Sequence, residues 1–177
     1  MILTKGSFDI LRATFGKLNQ SQVDGFNFLV SAFDKVGWTY PQAAYALATV
    51  WHETAGTMQP IKERGSDAYL KSKRYYPYIG YGYVQLTWKE NYIKVGKLIG
   101  VDLVNKPELA LNHLVAADIL TGGMAKGWFT GRGFHNTPLG RYNRANYIAA
   151  RRIINGTDKA AKIADEALVF EKALRSP

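Results

Sequence analysis

Two glutamates, Glu53 and Glu63, stand ten residues apart in surroundings of opposite character. Glu53 closes the apolar run that ends Val50-Trp51-His52-Glu53, and Glu63 sits in the polar, glycine-punctuated segment Lys62-Glu63-Arg64-Gly65. A contrasting pair of carboxylates is the minimal equipment for cutting a glycosidic bond. One must hold a proton for the leaving oxygen, and the other must be ionised to activate water or attack the sugar carbon. Val50 and Trp51 beside Glu53 disfavour the charged form, as a general acid requires. Lys62 and Arg64 flank Glu63 and favour its ionised form. Each has a plainer reading: Glu53 as a helix-end carboxylate bonded to its neighbours, Glu63 as an exposed charge on a loop. His52 does not turn Glu53 into a zinc site. That motif needs a second histidine four residues on, where this chain has Gly56. No metal or other cofactor is expected.

The elements that must position these carboxylates read as mostly helical. Ser7 is placed to cap a short helix carrying Phe8, Leu11 and Phe15. Asn19 to Ser21 opens a second, with Val23, Phe26, Leu29, Val30 and Phe33 at helical spacing. Thr39 and Pro41 begin a third, whose apolar face runs Ala44, Leu47, Val50 and Trp51 up to Glu53. Thr87-Trp88-Lys89-Glu90 has capping-box spacing and starts a helix that stops at Gly100. Pro107 starts a longer helix ending at Gly122-Gly123, Asn143 to Asn155 is another closed by Gly156, and Thr157 to Arg175 is the last. The Tyr- and Gly-rich segment from Tyr75 to Val84 is the exception and reads as irregular chain or a small hairpin. Gly127 to Gly140 is a second irregular stretch. The chain therefore reads as mainly α, a single catalytic domain over 1–177. Residues 1–35 are a candidate helical flap on a core over 36–177.

Composition narrows the classes. The 177 residues suit one domain, and 47% hydrophobic residues suffice for a real core. Without cysteine there are no disulfides, thiolate zinc sites or cysteine nucleophiles. The first residues lack the apolar core of a signal peptide. The formal charge of +9, from 23 basic and 14 acidic residues, favours anionic partners. The basic residues are scattered and form no nucleic-acid-binding motif, so no nucleic acid partner is expected. A monomer is expected.

Several motifs follow one another in a telling order. They are His52-Glu53-Thr54; Glu63-Arg64-Gly65; Tyr81-Gly82-Tyr83-Val84-Gln85-Leu86-Thr87-Trp88 with Asn91-Tyr92; Ile99-Gly100-Val101-Asp102-Leu103; and Asn105-Lys106-Pro107-Glu108-Leu109. Near the end stands Arg152-Ile153-Ile154-Asn155-Gly156. Together they resemble glycoside hydrolase family 19, the chitinases and their phage lysozyme-like relatives. Gly127-Trp128-Phe129-Thr130-Gly131 and the opening Leu18 to Asp34 are similar to the phage branch. The resemblance covers roughly residues 40 to 170 and implies a lysozyme-like helical fold.

Carried over position by position, the resemblance implies Glu53 as general acid, Glu63 as general base in an inverting reaction, and Thr87 as holder of the attacking water. Gln85, Asn91, Tyr92 and Asn155 fall on positions associated with substrate binding, and His52 precedes the acid as in many members. Thr87 has the competing role of capping the helix that Glu90 completes. Asn155 has that of stopping a helix before Gly156, and His52 that of a packed residue orienting its neighbours. One departure stands out. The family's chitinases usually carry Gly-Arg-Gly where this chain has Gly80-Tyr81-Gly82, so either Lys73 or Arg74 substitutes for the cation or the sugar register differs.

These readings lead to a phage-type peptidoglycan hydrolase, an endolysin or a virion-borne muramidase. It is expected to act on peptidoglycan glycan strands and be drawn to the anionic bacterial envelope. Synthesis is expected in the host bacterial cytoplasm without a Sec signal, with access to the wall after holin-dependent release or from the virion. A chitinase, a lytic transglycosylase and a non-catalytic wall-binding module are the alternatives.

Overall fold

The computed structural model spans residues 1–177 and is mainly α-helical, with one two-stranded sheet. Helix α1 (Lys5–Phe15) is capped by Thr4, not Ser7: Thr4 Oγ1 accepts from the Ser7 N–H, and Ser7 Oγ accepts from the Thr4 N–H. Ser7 is the third helical residue, where its hydroxyl completes the reciprocal box. Helix α2 (Gln20–Lys35) opens as expected on Asn19, with Gln22 returning the bond. Helix α3 (Tyr40–Glu53) follows Thr39 with Pro41 in its first turn, where the missing N–H has no intrahelical partner to lose.

α3 is the axis of the molecule. Every residue from Ala43 to Val50 is buried, so the helix is covered on all sides. Its small side chains, Ala43, Ala44, Ala46 and Ala48, let α8 (Ala160–Leu174) and α2 approach closely. α1 and α7 (Arg144–Ala150) also pack on α8. Leu11, Leu18, Phe26, Leu29, Val30 and Phe33 join the same apolar cluster as Leu47, Tyr147 and Phe170. Residues 1–35 therefore share the one core and do not lie over it as a separate flap.

The small sheet includes the Tyr- and Gly-rich segment, as expected, but that segment pairs with a strand outside itself. Strand β1 (Ile61–Lys62) pairs antiparallel with β2 (Tyr81–Gly82), Ile61 facing Gly82 and Lys62 facing Tyr81. The partner of the Tyr-Gly segment is thus the chain just before Glu63, and the short helix α4 (Asp67–Lys71) lies in the connection. Helix α5 (Lys89–Ile99) stops at Gly100 in the left-handed conformation, as its sequence implies. Pro107 opens only a 3₁₀ turn (Pro107–Leu111). Asn112 then caps α6 (His113–Lys126), which runs through Gly122-Gly123 to Gly127. Those two glycines are an approach surface, not a stop. A Cβ on Gly122 would lie 2.0 Å from the Trp128 ring, and one on Gly123 would lie 2.0 Å from the Phe129 ring. The segment expected as one helix from Asn143 is α7 followed by a 3₁₀ turn, Arg151–Ile153.

Candidate active site

Glu53 is the last residue of α3 and reaches a cleft of about 680 Å³. The walls come from the β2–α5 connection (Gln85, Thr87, Trp88), from Asn91 in the first turn of α5, and from two later segments carrying Phe129, Thr130 and Asn155. Five of the anticipated residues, Glu53, Gln85, Thr87, Asn91 and Asn155, therefore line one space. Glu63, His52 and Tyr92 do not.

The surroundings of Glu53 differ from the apolar environment its flank suggests. Arg151 Nη1 donates to Glu53 Oε1 at 2.9 Å, and the Arg151 side chain is only 3% exposed against 18% for Glu53. Nε of the same guanidinium donates to the Asp158 carbonyl at 2.9 Å. One carboxylate oxygen is thus held from behind, while Oε2 has no hydrogen bond within the protein and is left for a ligand. Arg151 was not legible as a partner of Glu53, since 98 residues separate them. A signal for its burial was present, however. Tyr147, Ala150, Arg151 and Ile154 fall at helical spacing on one face, and an arginine on such a face must be paired.

Glu63 follows β1 directly. Its backbone N–H donates to the Gly80 carbonyl, its Oε2 accepts from the Gly80 N–H at 2.9 Å, and its Oε1 accepts from the Tyr75 hydroxyl at 2.8 Å. Its partners are therefore Tyr75 and Gly80, not the flanking cations. Lys62 instead faces Asp67 at 3.8 Å, and Arg64 makes no ion pair. Burial and the bond to Glu63 push the Tyr75 hydroxyl up to about 12, which keeps it a proton donor. Tyr75 in turn meets Trp88 edge to face, with ring centres 5.2 Å apart. Trp88 lines the cleft, so Glu63 is connected to the cleft edge through one aromatic contact.

Thr87 does not cap α5. The residue at the cap is Trp88 in the left-handed region, φ 76°, with no side-chain bond to the helix. Thr87 Oγ1 instead donates to the Gln85 carbonyl at 2.8 Å. Its only proton is committed, so toward the cleft the hydroxyl acts as an acceptor. That suits a water that gives one proton to a base and needs a second acceptor to orient it. Gln85 also has positive φ, 54°. Two strained residues within one cleft wall are the pattern expected where a fixed surface outweighs local stability. The Gln85 amide donates to Ile61 and Gly82 carbonyls, which leaves its oxygen as the free group. The Asn91 amide donates to the Thr87 carbonyl, leaving its oxygen free, while Asn155 Oδ1 accepts from Gly156 and leaves its amide free.

Tyr92 is fully buried, with its hydroxyl 2.7 and 2.8 Å from the Ile79 and Leu86 carbonyls. It braces the wall from behind. His52 precedes Glu53 by one helical step, which turns it roughly 100° away from the cleft-facing carboxylate. Burial is the main cause that lowers its pKa from the ordinary value, opposed by Glu53. Phe129 and Thr130, unassigned from sequence, complete the far wall. Phe129 is seated on Gly123, and Thr130 Oγ1 donates to the Arg152 carbonyl at 2.6 Å.

A helical fold with a carboxylate at the end of a buried axial helix, open to a polar groove, defines a class of glycan-cleaving folds, and comparison with known proteins agrees. The family profile of glycoside hydrolase 19, described as chitinase class I, matches residues 7–161, and the chain belongs to that family. Endochitinase CH5B of Phaseolus vulgaris is 33% identical over 100 residues, 52% of this chain and 26% of that protein. Basic endochitinase B of Arabidopsis thaliana is 51% identical over 45 residues, 25% of this chain and 12% of that protein. The chain thus spans about a quarter or less of the length of these relatives in its matches. Among solved structures, a mutant of chitinase C shares the fold with a TM-score of 0.69 and 22% identity, covering 99% of this chain and 93% of that one. Chitinase C from Streptomyces griseus gives 0.67, also at 22% identity, covering 97% and 78%.

Proposed function

We propose that this protein hydrolyses β-1,4 glycosidic bonds in the glycan of bacterial peptidoglycan. In this reading Glu53 is the general acid, Thr87 holds the attacking water, and Glu63 is the general base that the resemblance implies, reaching that water only by leaving its bond to Tyr75. The observation that carries it is the state of Glu53: anchored at Oε1 by a buried arginine, open at Oε2, at the floor of a polar cleft. Gln85, Asn91 and Asn155 supply an unused acceptor or donor each for acetamido and hydroxyl groups of the sugar. His52 and Tyr92 act by packing. No cofactor enters the scheme.

The choice of peptidoglycan rests on the +9 charge and on the phage-like segments Gly127 to Gly131 and Leu18 to Asp34. An endolysin or virion-associated muramidase follows. It would be made in the host cytoplasm, reach the wall by holin-dependent release or from the virion, and work as a monomer. Chitin is the second reading, favoured by the names of the relatives. Digestion of purified peptidoglycan with mass analysis of the fragments separates these. Reducing N-acetylmuramic acid ends support a muramidase, and anhydro ends mean a transglycosylase. No cleavage of peptidoglycan alongside cleavage of chitin oligomers overturns the wall reading. Glu53→Gln should lower the rate by about 10²–10⁴-fold. A folded variant of near wild-type rate removes Glu53 from the chemistry.

A further inference from the structure

Two stretches of the chain carry a clear excess of positive charge, Arg141 to Arg152 and residues 62–76; in the first, Arg144 and Arg151 are paired with Asp165 and Glu53, and the second lies beside the cleft with most of its cations unpaired. The second holds Lys62, Arg64, Lys71, Lys73 and Arg74 against only Glu63 and Asp67. Glu63 is turned inward onto Tyr75 and Gly80, and Asp67 faces Lys62. The remaining four cations make no ion pair. Exposed Tyr69 and Tyr76, at 49% and 45%, stand among them, and the Lys73 ammonium lies 3.8 Å from the Tyr69 ring centre. This segment borders the cleft. Arg74 precedes Tyr75, whose ring contacts Trp88, and Trp88 is both 45% exposed and part of the cleft wall. An aromatic step thus leads from the groove to a segment rich in unpaired cations.

From this arrangement we infer that the 62–76 segment is a subsite for carboxylates carried on the glycan strand itself, the acidic side arms of alternate sugars in peptidoglycan. The inference rests on the peptidoglycan reading above and gives it a location. A neutral N-acetylated glycan has no group for these cations. A strand with a carboxylate on every second sugar delivers one to the same edge whenever it lies in the groove. Envelope phosphates are the other anionic source, but they are not tied to the bound strand and have no reason to arrive at the edge of this cleft. Arg64, Lys71 and Arg74 are exposed, so each contact is worth little alone, and the effect comes from several acting together. Recognition of this kind acts on binding and leaves the bond-breaking groups untouched.

The test measures binding apart from cleavage. In a Glu53→Gln background, co-sedimentation with teichoic-acid-free peptidoglycan sacculi is compared for Lys71→Glu/Arg74→Glu and for Lys17→Glu/Lys172→Glu. The second pair makes the same charge change at exposed positions that do not line the cleft. The first pair should weaken binding by about tenfold, the size of two lost exposed ion pairs with repulsion in their place. The control should change it by less than about threefold. Converting the sacculus carboxylates to neutral amides should weaken the parent and erase the difference between the pairs. Equal losses in both pairs, or an unaltered difference on amidated sacculi, overturn the subsite. A difference seen only on walls that retain teichoic acid assigns the patch to phosphate and likewise overturns it. With Glu53 restored, cleavage of a neutral chito-oligosaccharide should be unchanged by Lys71→Glu alone. Failure of the wild type to cut any glycan would refute the enzymatic reading while the binding comparison still decides the subsite.

Discussion

Replacing Arg151 with methionine tests how the cleft holds Glu53. The guanidinium is almost fully enclosed, and it spends one nitrogen on Glu53 and another on the Asp158 carbonyl, both at 2.9 Å. Methionine fills much of the same volume, so the loss is mainly one of charge and hydrogen bonding. Removing one member of a buried pair costs ~3–5 kcal/mol, because the other charge is left uncompensated. Glu53 keeps 18% of its side chain exposed to solvent, which places the expected loss near the lower end, about 3 kcal/mol. For a chain of this size that is a fall in Tm of roughly 6–12 °C. In a Glu53→Gln background no charge is stranded, and Arg151→Met should cost less. The double-mutant cycle, read by urea denaturation followed by far-UV circular dichroism at pH 7, should return a coupling of about 1–3 kcal/mol. Activity should fall in kcat with KM little altered, since Arg151 touches Glu53 and does not line the cleft. A coupling below about 0.5 kcal/mol would mean that the two side chains act independently and that the buried pair does not anchor the acid.

Three further outcomes follow from the geometry. Gly123→Ala puts a Cβ 2.0 Å from the Phe129 ring and should cost about 1–3 kcal/mol, with a raised KM as Phe129 leaves the wall; a native Tm would refute the seat. Tyr92→Phe should cost about 1–3 kcal/mol by leaving the Ile79 and Leu86 carbonyls short of a donor, and a several-fold change in KM in the folded variant would show that Tyr92 reaches the sugar after all. His52, its pKa lowered mainly by burial, should titrate by NMR below the usual value of about 6.5. The unfolded chain then binds the proton first as pH falls, so this residue's contribution to stability is present above about 6.5 and is lost as pH drops through that value to the folded pKa. A midpoint above about 6.5 would contradict the burial.

What the sequence determined by itself was local and periodic. Asn19 and Thr39 are at the helix starts where their side chains and neighbours require them, and Gly100 ends α5 because a left-handed residue is needed there. The apolar run before Glu53 correctly places that carboxylate at a helix end. Contacts between distant segments overrode the same local rules elsewhere. Thr87-x-x-Glu90 has capping spacing, yet the turn that shapes the cleft wall sends the Thr87 hydroxyl to Gln85 and leaves Trp88 at the cap. Gly122-Gly123 reads as a stop, yet it lies inside α6 because two aromatic rings from the following loop press against it. Tyr92 lies in a motif associated with substrate, and the chain folds over it. Arg151 and Glu53 meet only because α7 and α3 both pack on α8, and no pattern within either segment encodes that meeting. Backbone propensity acts over a few residues, whereas the electrostatics of a cleft depend on which distant side chains the core brings together. The sequence therefore determined that Glu53 stands at the end of its helix, and only the tertiary structure decided that Arg151 holds it.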